Sequence, residues 1–347
     1  MDLVRLPLIV LVVFIHVIPS EINPILFGET SIGGGIYLVI SELVSHSLGR
    51  IAVPAFFFIS GYFMFYKLMQ WEKGLYVHNL KKKLQTLIIP YVLWNALYYG
   101  MIFAKVDIAR RFGLPIYDYE IHSLEKSFFA HLVEPINYPL WYLRDLICMN
   151  LIFPLFYIAF RYLTGGAWGM MFFLLYLSPL ELPLAGLSST AIFFVGIGGY
   201  LGFYKVNILD LCYRYRYLAL CVILGLLPPA LIYNQEPFAE YLIKAYIPAG
   251  IICFFNLTVW LETNFKKLAS WCRHLLSAVF FVYALHTMYI MNWVTAGLKR
   301  LNLNEGALLL VPYFLAPVVV IVVCYVIYIF VKKISPRFLA LLTGGRG

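Results

Sequence analysis

Long apolar runs separated by short polar segments recur along the chain from residue 3 to residue 331. A helix needs roughly 20 apolar residues to cross a hydrocarbon core about 30 Å thick. A window of this length finds candidate spans at residues 3–19, 48–66, 84–104, 139–160, 167–180, 188–204, 217–233, 243–261, 274–297 and 308–331. The pattern predicts an all-α, polytopic integral membrane protein with about ten transmembrane helices.

Three of these runs are weaker candidates than the others. The run at 167–180 is short, and the runs at 217–233 and 243–261 contain Pro or Lys. At each of them a tilted or re-entrant segment is an alternative to a full span.

The first run, residues 3–19, also has the basic flank and the length of the apolar core of a signal peptide. No Ala-x-Ala-like cleavage site follows it, and a signal peptide has no reason to carry His16. We therefore interpret this run as a transmembrane helix.

The composition agrees with a membrane protein and limits the other classes. Of the 347 residues, 63% are hydrophobic and 12% are charged, which is too apolar a mixture for a soluble globule. The net charge of +9 does not indicate a nucleic-acid partner, because the basic residues lie in short segments between apolar runs, where they contact membrane lipid. The six cysteines form no CxxC pair and no cluster at metal-ligand spacing, so we interpret them as packing residues and expect no metal.

Lysine and arginine are unevenly divided between the polar connections. The even-numbered connections and the C-terminal segment hold 16 of them, and the odd-numbered connections hold six. Because basic residues stay on the cytoplasmic side, both termini are predicted to be cytoplasmic. The first external connection then carries Glu21, Glu29 and Glu42. Since the chain stops soon after the tenth run, we expect residues 1–347 to form one membrane domain without a separate soluble domain.

Arg5 and His16 lie eleven residues apart in the first run. At about 100° and 1.5 Å per residue, this spacing returns to within roughly 20° of the same helical face and separates the two by about 16 Å. A cation and an imidazole are costly in hydrocarbon, so the pair predicts a polar pocket among the helices. The alternative for His16 is a neutral imidazole that hydrogen-bonds to a neighbouring helix and only stabilises packing.

Three polar residues of the fourth run fall at the depth of His16. The spacing of Trp141, Arg144 and Asp145 puts an aromatic ring and an ion pair on one side of a helix. This arrangement suits a sugar or another hydroxylated ligand.

Arg50 and His286 fall at the same depth in the second and ninth runs. A guanidinium group cannot lose its proton, so Arg50 needs either an anion or a water-filled cavity, and Asp145 is expected to supply part of the negative charge. His286 belongs either to the same pocket or to an interfacial group with Tyr283 and Tyr289.

A basic segment follows the second run, at the depth of Arg5. Its lysines are Lys67, Lys73, Lys81, Lys82 and Lys83. Such a rim suits a phosphorylated ligand that approaches from the cytoplasm. The alternative is that these lysines only enforce the orientation of the chain in the membrane.

Small residues occur in two of the apolar runs. They are Ser60, Gly196, Gly198, Gly199 and Gly202. A glycine-rich stretch in an apolar segment is not a phosphate-binding loop. We interpret these residues as positions at which helices approach each other closely.

Six segments, in order along the chain, resemble the motifs of the membrane acyltransferase-3 family. They are RLPLIVLVVFIH, with the family's pattern of Arg, ten residues and His, followed by GRIAVPAFFFISGYFMF, KKKLQTLIIPYVLWN, PLWYLRDLI, FFVGIGGYLG and AVFFVYALHTMYI. Each segment is weak alone, but six in order on a chain of ten predicted spans are specific. The family moves acyl groups from cytoplasmic acyl-CoA to cell-surface glycans and related acceptors.

The resemblance implies a multi-pass O-acyltransferase of a bacterial plasma (inner) membrane. His16 would be the catalytic histidine and Arg5 its partner toward the donor, which would be acetyl-CoA or another acyl-CoA. Lys81, Lys82 and Lys83 would form the acyl-CoA entrance. The acceptor would be a glycan or a lipid-linked saccharide. Many relatives carry arginines where this chain has lysines, and lysine holds a phosphate as a point charge without the bidentate fork.

A mechanism follows from these roles as a hypothesis. His16 would act as general base on an acceptor hydroxyl or would itself take the acyl group. The developing oxyanion would be stabilised by Arg50 or Arg144. The substrate site would include Asp145, Trp141, Tyr283 and His286.

Two other functional classes remain for the same residues. In a proton-coupled secondary transporter, the buried His, Arg and Asp side chains would form a path for a sugar or an anionic metabolite. Inverted repeats with paired broken helices, which are typical of such transporters, are not evident in the sequence. A structural scaffold would not explain why the polar residues fall at common depths.

Overall fold

The computed structural model describes residues 2–17, 32–66, 73–163, 165–179, 184–301, 303 and 306–346. Within these ranges the chain folds into helices and forms no strand, which confirms the all-α prediction. Glu21, Glu29 and Lys67, which the sequence analysis assigned to connections, lie outside the described residues.

Nineteen α-helices occur in the described ranges. Those of the N-terminal half are α1 (Arg5–Ile15), α2 (Ile32–Ser41), α3 (Ala52–Tyr66), α4 (Lys73–Lys83), α5 (Ile89–Phe112), α6 (Asp118–Glu125), α7 (Ala130–Val133), α8 (Trp141–Leu151) and α9 (Phe153–Tyr162). Those of the C-terminal half are α10 (Gly165–Leu177), α11 (Ser189–Phe203), α12 (Ile208–Arg214), α13 (Arg216–Ile232), α14 (Pro237–Asn264), α15 (Lys266–Leu275), α16 (Val279–Leu285), α17 (Ile290–Lys299), α18 (Leu310–Ile334) and α19 (Pro336–Thr343). Short 3₁₀ and π-helical stretches join several of them.

Several helical stretches are long and apolar enough to cross a bilayer. Five do so without a sharp bend: Gly35–Tyr66, Leu80–Phe112, Pro237–Asn264, Lys266–Lys299 and Gly306–Ile334. Two bent pairs raise the number to seven if each is one span, namely α8 with α9, bent by 58°, and α11 with α12, bent by 110°. The described chain is therefore a multi-pass membrane protein.

The three remaining predicted spans correspond to the short apolar helices α1, α10 and α13. With 11 residues, α1 is about 17 Å long, well short of the hydrocarbon core. It packs among α3, α16 and α18, and Leu8 and Val13 on it have no exposed surface. Length and composition thus support five to seven spans, and the total of ten remains a prediction.

Residues 32–47, which were predicted to belong to an external connection, are helical instead. α2 continues through a π-helical stretch, Glu42–Leu48, and a 3₁₀ turn, Gly49–Ile51, into α3. Three consecutive glycines lower the helix propensity of this segment, but packing of α2 against the 3₁₀ turn Gly306–Leu309 outweighs it.

α3 and α11 are in close contact along their lengths. A methyl group added at Gly61 would overlap the carbonyl oxygen of Val195, and one added at Gly198 would overlap that of Phe58. Gly202 lies equally close to the backbone of Tyr62. The interpretation of Gly198 and Gly202 as sites of close helix approach is confirmed.

Candidate active site

His16 and His286 are in contact where α1 and α16 end. Each histidine directly follows the last residue of its helix. Nε2 of His286 lies 3.4 Å from Nδ1 of His16, and the rings meet edge to face with centroids 4.9 Å apart. His286 is fully buried and His16 is partly buried. Of the two positions considered for His286, the structure favours the one beside His16.

The hydrogen bonds around the two imidazoles indicate where their protons lie. Nδ1 of His16 lies 2.8 Å from the carbonyl oxygen of Val12, and Nδ1 of His286 lies 2.8 Å from that of Tyr283. Because a carbonyl oxygen only accepts, each neutral ring carries its proton on Nδ1. Nε2 of His16 then keeps a free lone pair, and it makes no hydrogen bond within the described part of the chain.

Arg5 is the first residue of α1, and its side chain is exposed. The backbone is helical over the whole interval to His16, so the two side chains lie about 16 Å apart along the axis and on nearly the same face. The geometry on which the sequence prediction depended is therefore present.

Arg144 and Asp145 form an ion pair at the start of α8. Nε and Nη2 of Arg144 donate to Oδ1 of Asp145 at 3.0 and 2.8 Å, and Nη1 donates to the carbonyl oxygen of Val133 at 2.9 Å. Asp145 has no exposed surface, and its Oδ2 has no hydrogen-bond partner among the described residues. Since a buried carboxylate oxygen needs a donor, Oδ2 can accept a hydrogen bond from a bound hydroxyl group.

The anion beside Arg50 is Glu240, and the expectation that Asp145 fills this role is wrong. Nη1 and Nη2 of Arg50 donate to the two carboxylate oxygens of Glu240, which belongs to α14. Asp145 is already held by Arg144. Sequence spacing could not reveal the partner, because Arg50 and Glu240 are 190 residues apart.

Trp141 and Tyr283 each lie one helical turn before a polar residue of the site, Trp141 before Arg144 and Tyr283 before His286. The partly buried ring of Trp141 packs against Phe57 with centroids 6.0 Å apart. Tyr283 is buried one helical turn before His286, and its hydroxyl donates to the carbonyl oxygen of Pro139.

Lys81, Lys82 and Lys83 form the last turn of α4. The first two are exposed and Lys83 is partly buried. A π-helical turn, Leu84–Ile88, follows them and leads into α5. In this turn Oγ1 of Thr86 donates to the carbonyl oxygen of Lys82 at 3.2 Å.

Asn95 and Asn137 form a buried network beside His286 that the sequence analysis missed. The side-chain amide of Asn137 donates to the carbonyl oxygen of Ala284 at 2.7 Å, and its Oδ1 accepts from Thr287 at 3.1 Å. The backbone NH of Asn137 donates to Oδ1 of Asn95 at 3.3 Å. Both asparagines are fully buried. An asparagine inside an apolar run such as YVLWNALYY is the signal that could have drawn attention to Asn95.

Glu120 anchors the connection between α5 and α8 to the backbone that follows His286. Its buried carboxylate accepts hydrogen bonds from Lys105, from Tyr119 at 3.1 Å and from Tyr289 at 2.9 Å. Burial alone would raise the pKa of Glu120, but these hydrogen bonds outweigh it and lower the pKa. Tyr289 has a φ of +64°, a left-handed conformation that a bulky residue adopts only when its surroundings hold it there.

The family model described as acyltransferase domain, acyltransferase-3, matches residues 1–329. The chain belongs to the acyltransferase-3 family. Family membership makes the chain an acyltransferase, and the apolar helices make it a multi-pass membrane acyltransferase.

One curated relative of this acyltransferase is the succinoglycan biosynthesis protein ExoH of Rhizobium meliloti (strain 1021). The two are 28% identical over 379 aligned positions, which cover 99% of this chain and 91% of the relative. No solved structure matches the chain.

Proposed function

We propose that the protein transfers an acyl group, acetyl in the first instance, from acyl-CoA to a hydroxyl group of a cell-surface or lipid-linked saccharide. Family membership supports acyl transfer, and the relative named for succinoglycan biosynthesis supports a glycan acceptor. The observation that carries the catalytic part of the proposal is the contact between His16 and His286, in which Nε2 of His16 has no hydrogen-bond partner among the described residues.

The donor approaches from the cytoplasm in this proposal, and both chain termini lie on that side of a bacterial plasma (inner) membrane. The excess of Lys and Arg in the even-numbered connections supports this orientation. The phosphates of acyl-CoA meet Arg5 and the lysines Lys81, Lys82 and Lys83. The pantetheine arm then extends over the distance, about 16 Å, from Arg5 to His16.

Nε2 of His16 is the proposed general base. It removes the proton from the acceptor hydroxyl while the hydroxyl oxygen bonds to the thioester carbonyl carbon. The carbon–sulfur bond then breaks, and the CoA thiolate takes the proton from His16. The hydrogen bond from Nδ1 of His16 to Val12 supports this role, because it fixes the ring orientation and leaves Nε2 basic. Transient acylation of Nε2 is the second route.

Arg144 is our candidate for stabilising the oxyanion, in preference to Arg50. Both arginines already donate hydrogen bonds, Arg50 to Glu240 and Arg144 to Asp145 and Val133. The preference follows from position, because Arg144 shares α8 with Trp141 and Asp145, the residues assigned to the acceptor. We assign the orientation of the acceptor to the ring of Trp141 and to Asp145, whose Oδ2 has no hydrogen-bond partner among the described residues. Tyr283 and His286 complete the proposed substrate site.

Replacement of His16 tests the proposal in the purified protein, reconstituted in nanodiscs and supplied with radiolabelled acetyl-CoA and a saccharide acceptor. His16→Ala is expected to lower transfer at least a thousandfold while expression and thermal unfolding remain close to wild type. His274→Ala, which changes an exposed histidine on α15, is the matched control and is expected to have no effect. Retained turnover in His16→Ala would remove this histidine from the mechanism.

The two catalytic routes differ in what accumulates without an acceptor. Rapid acid quenching of the protein after mixing with labelled acetyl-CoA traps an acyl-histidine if His16 is the nucleophile. Absence of label on His16, with normal turnover when acceptor is present, would select the general-base route.

A further inference from the structure

Tyr138 is an exposed tyrosine that lies beside the histidine pair. Its ring centroid is 6.4 Å from that of His16, and the two rings meet edge to face. Tyr138 is 68% exposed, whereas His286, which also contacts the ring of His16, is fully buried. The histidine pair is therefore close to the protein surface on the side of Tyr138, where a substrate can reach His16.

The backbone on both sides of Tyr138 is held by buried groups. Asn137 is fully buried, and its side-chain amide donates to the carbonyl oxygen of Ala284. Pro139 is also buried, and its carbonyl oxygen accepts a hydrogen bond from the hydroxyl of Tyr283. An exposed side chain on a backbone fixed in this way loses little conformational freedom when a ligand binds to it.

Tyr138 shares one helical face with Trp141 and Asp145. The 3₁₀ turn Tyr138–Leu140 leads directly into α8. Residues i and i+3 eclipse each other in a 3₁₀ turn, and residues i and i+4 are neighbours in an α-helix, so the three side chains follow one line about 12 Å long. Their exposure decreases along this line, because Tyr138 is exposed, Trp141 is partly buried and Asp145 has no exposed surface. Two aromatic rings followed by an acceptor oxygen suit a ligand that has both an apolar face and hydroxyl groups, such as a sugar.

Exposed aromatic residues of a membrane protein also contact lipid at the membrane interface. Phe129 is an example of an exposed ring away from the histidines. It is 77% exposed in the same connection between α5 and α8, and within the described part of the chain its ring contact is with Phe128. Tyr138 differs in its contact with His16, the proposed base. This position favours the substrate over lipid as the occupant of the Tyr138 ring face.

We propose that Tyr138 is a stacking platform for the sugar ring of the acceptor that carries the reacting hydroxyl group. The inference deepens the proposed function and rests on it for the use of a saccharide acceptor. The face of an aromatic ring carries partial negative charge and attracts the C–H groups on the face of a sugar ring, so the two rings stack. A sugar ring at van der Waals distance from Tyr138, about 3.5–4 Å, lies next to the imidazole of His16. A hydroxyl group at the edge of that sugar ring can then reach Nε2 of His16.

The two substrates reach His16 from different directions in this arrangement. In the proposed function the donor extends along α1 from Arg5, the first residue of the helix. Tyr138 lies at the other end of α1, where His16 follows the last helical residue. The acceptor platform is therefore separate from the donor path, and its loss should affect the two substrates differently.

Steady-state kinetics in nanodiscs test the proposal. The probe is an oligosaccharide released from deacylated succinoglycan, the polysaccharide for which the curated relative is named. Tyr138→Ala is expected to raise the KM for this acceptor about three- to tenfold, the usual size of a lost aromatic stacking contact, with little change in the KM for acetyl-CoA. Tyr138→Phe keeps the aromatic face and should stay within about twofold of the wild type. An unchanged acceptor KM in Tyr138→Ala, or an equal rise in Tyr138→Phe, would overturn the proposal.

Phe129→Ala is the matched control, because it removes an equally exposed aromatic ring from the same connection. It should leave the KM for the acceptor unchanged. If Phe129→Ala raises this KM as much as Tyr138→Ala does, the effect belongs to the apolar surface in general and the proposal fails.

A direct binding measurement separates this proposal from the proposed function. Calorimetry with the same oligosaccharide and without a donor needs no acyl transfer. Binding by the wild type that weakens about three- to tenfold in Tyr138→Ala, but not in Tyr138→Phe, supports the platform even if no acetyl transfer from acetyl-CoA is found. Equal binding by the wild type and Tyr138→Ala, or none by the wild type, would overturn it. If Tyr138→Ala lowers the unfolding temperature in nanodiscs and leaves saccharide binding unchanged, Tyr138 is a contact for lipid and the proposal fails.

Discussion

The side-chain amide of Asn137 donates to the carbonyl oxygen of Ala284, two residues before His286. The last carbonyl groups of a helix have no partner within that helix, and this contact provides one where α16 ends. Asn137 thereby fixes the end of α16 to the start of α8. We interpret Asn137 as a positioning residue for His286 and, through it, for His16.

Asn137→Asp is expected to lower kcat at least tenfold with little change in the KM for acetyl-CoA. The substitution preserves size but replaces the donating amide with an acceptor that faces a carbonyl oxygen. Steady-state kinetics over a range of donor concentrations separate the two constants. Asn150→Asp is the matched control, because in the part of the chain that the structure describes the amide of Asn150 donates to Leu146 in its own helix and to no other helix. A change in KM alone would contradict the positioning role.

The pair of Arg50 and Glu240 is expected to be structural. Arg50→Gln and Glu240→Gln should each lower the free energy of unfolding, and the double variant should recover about 1 kcal/mol or more relative to the sum of the single effects. Because we assign oxyanion stabilisation to Arg144, the double variant should retain acyl transfer within tenfold of wild type. A double variant that is stable but inactive would contradict the structural role and show that Arg50 takes part in catalysis.

Glu120 is expected to make stability depend on pH in the acid range. Its pKa in the folded protein is lowered, so its contribution is complete above the unfolded value, about 4.3, and is lost as the pH falls through the folded value. Glu120→Gln should lower the unfolding temperature at pH 7, because Lys105 loses its counter-ion. It should also flatten the dependence of the unfolding temperature on pH below about 4.3, because the titrating carboxyl group is gone. Thermal unfolding between pH 3 and pH 7 measures both effects.

Glu125→Gln is the control for Glu120, since Glu125 is an exposed carboxylate on the same helix. It should leave the unfolding temperature and its pH profile close to wild type. If Glu120→Gln has the same pH profile as the wild type, another group is responsible for the acid dependence.

Substitution of Gly198 by alanine is expected to destabilise the fold by about 1–3 kcal/mol, because the added methyl group overlaps the backbone of Phe58. Gly169→Ala on α10 is the comparison, since no atom lies within 4 Å of the added group there. It should be neutral or slightly stabilising, as alanine favours helix. Equal effects of the two substitutions would contradict the close packing of α3 and α11.

The sequence predicted those features that depend on local periodicity. The apolar runs located the long helices, and the spacing of Arg5 and His16 predicted their shared face, because both follow from the geometry of one helix. The length of α1 was not predictable in this way. A short apolar helix buried by its neighbours has the same composition as the middle of a full span.

The missed features depend on contacts between distant parts of the chain. Glu240 was not recognised as the partner of Arg50, and Asn137 was not connected with the end of α16, because such pairs leave no trace in spacing. Tyr138 was not singled out, because its sequence neighbours give no sign of His16. Its position became apparent only from the contact between the two rings.

The backbone contact between α3 and α11 also limits how the protein can open during a catalytic cycle. At Gly61, Gly198 and Gly202 the two backbones meet directly, without a side chain that could change rotamer and let one helix slide past the other. They must move as one rigid body. We therefore expect any opening that admits the acceptor or releases the product to involve other helices, such as α16 and α17, between which the chain is broken and Tyr289 has a left-handed backbone.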